Sequence, residues 1–286
     1  MSVKKLVYGI YPKTNELRLE IGRWERGIIP DSVLNEKIND EKYIFYDKVK
    51  DIYYTDPLYN WYDIFRPLSR IVNGISLGPL TRFLETNTFY RIPEISDVKD
   101  FNLEPDKFQK IDDNPPLPLY LKHGINFHGL LPSPYSFYYM SKTLMDYNDF
   151  NKKILNIYSR ILDIYSIKNV VLLDPLYYKN DAYIDLSDFA KKYNVILITS
   201  GNVSKLKING KLESIAVRPD EVDYIINKCS YPGISIFSGD NTKMEDLKTI
   251  RKEISGYDNV LLTHSTYMDF LPRVIADKKM DLILEA

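Results

Sequence analysis

Eight short apolar segments that alternate with amphipathic stretches limit the fold of this chain more than any other feature. The stretches between them place apolar residues at helical spacing, as Ile154, Tyr158 and Ile161 do. Strands that alternate with helices form parallel sheets covered on both faces, and eight such strands close a barrel. We therefore predict the α/β class and a single (β/α)8 TIM barrel. The apolar segments are residues 6–10, 52–55, 125–131, 170–174, 195–200, 214–217, 234–238 and 260–264.

The chain has 286 residues, whereas a barrel of this kind typically has about 250. The surplus lies in residues 58–118, where the alternation is irregular. There, residues 61–72 have a helical pattern, residues 81–95 suggest an extended excursion or hairpin, and residues 112–120 form a proline-rich connection. We predict one domain over residues 1–286, with a long excursion after the second strand.

The remaining patterns predict helices between the strands. A helix capped by Asn15 follows the first strand, and a short helix starts near Asp31. Further helices are expected at residues 147–164, 185–193, 219–228 and 242–254, and at the carboxyl end of the sequence.

Charge and cysteine content exclude several functional classes. Thirty-eight basic and 39 acidic residues give a formal net charge of −1, which offers no field for nucleic acid. The single cysteine, Cys229, cannot form a disulfide framework or a zinc site with two thiolates from this chain. We also find no signal-peptide pattern and no apolar run of membrane-spanning length. The expected protein is cytoplasmic and binds neither nucleic acid nor membrane.

Amino-acid usage suggests a thermophilic source. Glutamine occurs only as Gln109, while Ile, Lys, Tyr and Glu are abundant, as in many thermophile proteins. AT-rich codon usage would favour much the same residues, and it stays an alternative explanation.

Polar residues directly after the predicted strands are the candidates for a site, because barrel enzymes place their sites at these strand ends. We assign catalytic roles to His264, Asp174 and Asp56: the histidine as a titrating group and the two aspartates as an acid and base pair. Each has a structural alternative, since Asp-Pro pairs also start turns and a histidine can be held by hydrogen bonds. Lys13 and Asp240, which follow the first and seventh predicted strands, are candidates for substrate binding. Asp240 also fits a helix cap.

Several segments resemble the cobalamin-independent methionine synthase family, and they occur in that family's order. VYGIYPKTNELR at residues 7–18 is similar to its amino-terminal motif, and the segment at residues 52–75, with Asp56 and Arg66, resembles its second strand and following helix. The excursion at residues 81–95, the turn at 130–142, VLLDP at 171–175 and the carboxyl-terminal 263–286 extend the likeness. It is closest to that family's amino-terminal barrel, which lacks the catalytic metal.

The resemblance implies a methyl transferase, but this sequence departs from the family's zinc-binding pattern. The three places where that family has its ligands read ThrSerGly at 199–201, AlaVal at 216–217 and HisSerThr at 264–266. Thr266 stands where a thiolate is needed, and threonine cannot supply that soft ligand. Lys13 replaces the family's usual arginine, which keeps the charge and loses the bidentate fork. The resemblance implies that Arg18, Arg66 and Asn87 also bind substrate, and that Lys13, Arg18 and Arg66 contact the anionic methyl donor or the partner.

Four hypotheses follow. In the first, the chain is a separate subunit that assists methyl transfer from a folate-like donor to homocysteine, while a partner chain, a catalytic methionine synthase barrel, carries the zinc. In the second, it is a zinc-free methyltransferase that acts alone. In the third, it is an acid-base enzyme of other chemistry on the same barrel, and in the fourth it is a scaffold without a ligand. We expect no metal and no cofactor bound by this chain alone.

Overall fold

The computed structural model describes residues 2–83, 88–102 and 124–286. The strands in chain order are β1 (Ser2–Val7), β2 (Tyr53–Thr55), β3 (Ile75–Phe83), β4 (Thr88–Ile95), β5 (Phe127–Pro132), β6 (Lys142–Thr143), β7 (Asn169–Asp174), β8 (Ala182–Asp185), β9 (Asn194–Thr199), β10 (Leu206–Asn209), β11 (Leu212–Val217), β12 (Cys229–Phe237) and β13 (Asn259–His264). The helices are α1 (Asn15–Glu25), α2 (Asp31–Val49), α3 (Arg66–Ile71), α4 (Pro134–Tyr139), α5 (Tyr147–Ile164), α6 (Phe189–Lys192), α7 (Leu247–Ile254) and α8 (Arg273–Glu285).

Eight parallel strands form a closed barrel in the order β1, β13, β12, β11, β9, β7, β5 and β2. Strand β1 closes it, because Ser2 pairs with Asn259 of β13 while Leu6 pairs with Tyr53 of β2. Each of the eight predicted strands is one of these barrel strands. The predicted TIM barrel is therefore confirmed, with strand boundaries that shift by a few residues.

The excursion after the second strand is also confirmed. It contains α3 and the antiparallel hairpin of β3 and β4, in which Ile75 pairs with Ile95. Strand β6 adds to β4 in parallel, so that a small three-stranded sheet stands beside the barrel. The predicted proline-rich connection at residues 112–120 lies outside the described residues.

Three predicted helices differ from the structure. Residues 182–185 form strand β8 beside β10, so only Phe189–Lys192 of the predicted helix at 185–193 is helical. At 219–228 the amide groups bond three residues back, as Ile225 does to Val222 O at 3.0 Å, and a 3-10 turn replaces the α-helix. Asp31 starts a long helix, α2, because its buried residues continue to Val49.

The barrel core is made of aliphatic strand residues packed against the helices. Val170, Val171 and Leu172 of β7 are fully buried, and so are Ile154, Ile161 and Leu162 on the apolar face of α5. Among the described residues, every helix is too short or too polar to span the apolar layer of a bilayer.

Two glycines test this packing in opposite directions. A Cβ at Gly233 of β12 would lie 2.7 Å from the Ala216 Cα of β11, so we expect Gly233→Ala to lower the free energy of unfolding by about 1–3 kcal/mol. Gly22 lies inside α1 with open space around it. There, alanine should raise the free energy of unfolding by about 0.5–1 kcal/mol. Urea denaturation measures both, and equal effects of the two substitutions would contradict the barrel register.

Candidate functional site

A cavity of about 120 Å³ lies at the carboxyl end of the barrel, comparable to the roughly 150 Å³ cavity that holds one benzene ring. Residues that directly follow four barrel strands line it, namely Tyr8, Pro175, Ser200 and Ser265. Sites of barrel enzymes lie at this end. The cavity is therefore the candidate site of this chain.

The excursion supplies an aromatic wall to the cavity. Tyr62, Phe65 and Tyr90 come from it, and the Phe65 and Tyr90 rings pack with centroids 5.7 Å apart. Phe270, after β13, completes the apolar lining. Such a lining with few polar groups is typical of pockets that bind small organic molecules.

A groove with two basic residues adjoins the cavity. Lys13 and Arg18 line it, and Tyr62 and Asp269 line both the groove and the cavity. The Lys13 Nζ lies 5.3 Å from the centre of the Tyr62 ring. Burial lowers the pKa of Lys13 to about 8; the charge of Asp269 raises it in part and that of Arg18 lowers it further. Two of the predicted binding residues thus lie together beside the cavity.

Asp63, Asp269 and Tyr267 are three of the polar side chains that line the cavity. Asp63 accepts hydrogen bonds from the Phe65 and Arg66 amides at 3.0 and 2.7 Å. Burial raises the pKa of Asp269 to about 6, against the opposing charge of Lys13. Tyr267 fits into the mouth because Gly9 has no side chain: a Cβ there would lie 2.1 Å from the Tyr267 ring.

Arg66, predicted to bind substrate, lies behind the aromatic wall. It is 4% exposed, and its Nε lies 3.6 Å from Asp63 Oδ2. Its guanidinium carbon lies 5.2 Å from the centre of the Tyr62 ring. The residue therefore supports two groups of the cavity lining.

His264 is held by hydrogen bonds at both ring nitrogens. The Tyr8 amide donates to Nε2 at 3.0 Å, and Nδ1 donates to the Thr266 carbonyl at 2.7 Å. The Tyr8 ring stacks on the imidazole with centroids 4.1 Å apart. Burial lowers the pKa of His264 to about 4. This geometry favours a neutral, structural histidine that ties β13 to β1.

Asp174, at the end of β7, also has its partners within the protein. It accepts hydrogen bonds from Ser133 Oγ at 2.7 Å, from Tyr178 Oη at 2.8 Å and from Ser136 Oγ. Burial raises its pKa, and these hydrogen bonds oppose that effect. Asp174 is fully buried and does not line the cavity.

Asp56 forms a buried ion pair behind the barrel mouth. Lys42 Nζ of α2 lies 2.8 Å from its Oδ2, and the Tyr46 hydroxyl donates to the same oxygen at 2.9 Å. The Leu58 amide donates to Oδ1 at 2.8 Å. The structure thus does not bring Asp56, Asp174 and His264 together around the cavity, and the three catalytic assignments stay predictions that this geometry does not favour.

Of the last two assigned binding residues, the structure describes Asp240 alone. Asp240 is exposed after β12, where the Ser238 hydroxyl donates to it, and it does not line the cavity. Asn87 lies outside the described residues.

The residues present do not fit the zinc centre that the resemblance would bring. Cys229 begins β12 and therefore lies at the opposite end of the barrel, with its Sγ 3.2 Å from the Tyr231 carbonyl. At the mouth, Thr266 offers its carbonyl to His264. Within the described ranges, no three His, Cys, Asp or Glu side chains are close enough together to hold a metal ion.

Comparison with known proteins bears on the fold. No family model matches the chain, and no curated protein matches it. Among solved structures, a B12-independent methionine synthase from Shewanella sp. W3-18-1, in complex with selenomethionine, is similar, with a TM-score of 0.58 and 10% sequence identity. The match covers 90% of this chain and 88% of that chain. The chain thus has a barrel fold like that of a methionine synthase, and an identity this low shows the fold alone.

Two polar residues of the cavity lining, Tyr267 and Asp269, are not among the predicted site residues. They lie three and five residues after β13 ends at His264, beyond the polar residues that directly follow this strand. No pattern in the sequence predicted the aromatic wall, because most of its residues come from the irregular excursion after the second strand.

The depressed pKa of Lys13 gives a direct test of the groove. Its neutral fraction should grow at pH values near 8, well below the ordinary lysine value of 10.5, because burial disfavours the charged form. Competitive acetylation over a pH series, with mass spectrometry, measures the midpoint. Asp269→Asn should lower this midpoint further by removing a nearby negative charge. A midpoint at the ordinary value would contradict a buried Lys13.

A second test separates structure from catalysis at Asp56. Lys42→Met should lower the free energy of unfolding by about 3–5 kcal/mol, because it leaves a buried carboxylate without its charge partner. The double variant Lys42→Met/Asp56→Asn should recover part of that loss, since no buried charge remains. Urea denaturation gives both values. A loss below about 0.5 kcal/mol, as for ordinary surface substitutions, would show that the pair is not structural.

Proposed function

We propose that this chain is a barrel subunit that assists methyl transfer from a folate-like donor to homocysteine on a separate catalytic chain of the methionine synthase type. One observation carries the proposal. The mouth has an aromatic cavity with a basic groove beside it, yet the only cysteine lies at the opposite end of the barrel. The chain is thus equipped to bind a ligand and not to hold zinc through thiolates.

The positive charges of the groove favour a ligand that has an anionic part. Lys13 and Arg18 both line it, and it shares Tyr62 and Asp269 with the cavity that would take a ring. A buried cation attracts an anion more strongly than an exposed one, because the local dielectric is lower. The carboxylates of a folate-like donor fit this arrangement.

The chemistry of the acceptor explains the need for a second chain. The thiolate, and not the thiol, is the nucleophile, and a free thiol has a pKa of about 8.5. Zinc deprotonates a bound thiol outright. Since the mouth offers no thiolate ligands, we assign the zinc and the activated homocysteine to the partner chain.

Lys13 favours one alternative, a zinc-free methyltransferase that acts alone. Its pKa of about 8 lies close to that of a free thiol, so proton transfer from thiol to amine would cost little. The hypothesis of other acid-base chemistry has no such support, because His264, Asp174 and Asp56 make their hydrogen bonds within the protein.

A reconstituted assay tests the proposal. The pure chain should form no methionine from homocysteine and a folate methyl donor, and a catalytic barrel that carries the cysteine ligands should be required. Lys13→Met should lower the rate of the reconstituted pair by about tenfold or more, equivalent to about 1.4 kcal/mol of lost binding.

Lys211→Met is the matched control, because Lys211 is exposed at the opposite end of the barrel, just before β11. Its rate should equal that of the unchanged chain. Turnover by the pure chain alone, abolished by Lys13→Met and unaffected by the control, would replace the subunit proposal with the zinc-free enzyme.

A further inference from the structure

Two polar atoms in the cavity lining are buried and have no hydrogen-bond partner among the residues that the structure describes. They are Tyr267 Oη and Asp269 Oδ1. Leaving such a group unsatisfied costs about 1–3 kcal/mol, and more when the group is charged. A group that enters the cavity from outside the chain can relieve this cost at both atoms at once.

A third acceptor belongs to the same cavity lining. The Oδ2 of Asp63 lies 3.4 Å from the Arg91 amide nitrogen and 3.6 Å from Arg66 Nε. Asp63, Tyr267 and Asp269 all line this one cavity of about 120 Å³. Two carboxylates and a phenol therefore face a shared space.

The local charges leave Asp269 available to an incoming cation. Arg66 offsets the charge of Asp63, whereas Asp269 makes no ion pair within 4.0 Å in the described part of the chain. Lys13 attracts this carboxylate from the groove, but its ammonium lies against the Tyr62 ring. At neutral pH the Asp269 carboxylate is ionised, since its pKa is about 6.

We propose that the cavity binds the ammonium group of a primary-amine ligand on Asp269, Tyr267 and Asp63. A primary ammonium has three N–H donors, which matches the three acceptors. The organic part of the ligand packs against the aromatic wall of Tyr62, Phe65, Tyr90 and Phe270, and ring faces also attract cations. This binding site is independent of the proposed role in methyl transfer, and the two can fail separately.

Calorimetric titration of the chain alone tests the site with three probes of one shape. They are 2-phenylethylammonium, neutral 2-phenylethanol and anionic 3-phenylpropanoate. The ammonium should bind at least about tenfold more tightly than the alcohol, as expected for a hydrogen bond to a charged group. Equal binding of the two, or no binding of either, would show that only water occupies these atoms and would overturn the proposal. Tighter binding of 3-phenylpropanoate than of the ammonium would also overturn the proposal, and it would indicate that the groove of Lys13 and Arg18 binds the ligand.

Three variants test which residues cause the preference for the ammonium probe. Asp269→Asn should abolish the tenfold preference for the ammonium, and Tyr267→Phe should reduce it several-fold by removing the hydroxyl. Asp258→Asn, at an exposed residue before β13 and so at the opposite end of the barrel, should leave it unchanged. A preference that survives Asp269→Asn would overturn the proposal. If a thermal melt shows that Asp269→Asn does not fold, the Tyr267→Phe titration decides instead. A preference for the ammonium that Tyr267→Phe leaves unchanged would then overturn the proposal.

Discussion

Closure of the barrel through β1 is the constraint on which the rest of this structure depends. Strand β1 pairs with β13 on one side and with β2 on the other, so the first and last barrel strands are held together. Thr263 Oγ1 adds a hydrogen bond to the Leu6 carbonyl at 2.9 Å, and His264 accepts one from the Tyr8 amide. Because all eight strands are parallel, closure brings the residues after β1, β2 and β13 to one mouth, where the cavity and the groove lie.

Burial divides the polar residues of this mouth into two kinds. Asp56, Asp174 and His264 are deeply buried and have partners within the protein, which offsets the cost of removing them from water. Asp269 and Lys13 are half-buried. Burial raises the pKa of Asp269 to about 6 and lowers the pKa of Lys13 to about 8, so that both values lie near neutral pH. Perturbed groups of the second kind, next to a cavity, are the better candidates for ligand chemistry.

The fold could be predicted from the sequence because the signal for each strand is local. The apolar run 170–174 and the helical face of Ile154 and Ile161 need no distant partner to be recognised. The site could not be predicted in the same way. His264 looks like a titrating group until Tyr8, from the other end of the chain, occupies its second nitrogen. In the same way Asp174 depends on Ser133, Ser136 and Tyr178 for its role, and no spacing in the sequence shows that these side chains converge.

Similarity of fold does not by itself carry similarity of chemistry. A barrel is fixed by the alternation of apolar strands and helices, which two chains with 10% identity can share. Zinc chemistry is fixed by a few soft ligands, and the single cysteine of this chain lies at the start of β12, at the end of the barrel opposite the mouth. What remains at the mouth is a lysine with a pKa of about 8, an aspartate with a pKa of about 6 and an aromatic wall that the excursion supplies. Groups with perturbed pKa values next to a cavity are suited to bind and orient a small molecule and to exchange a proton near neutral pH.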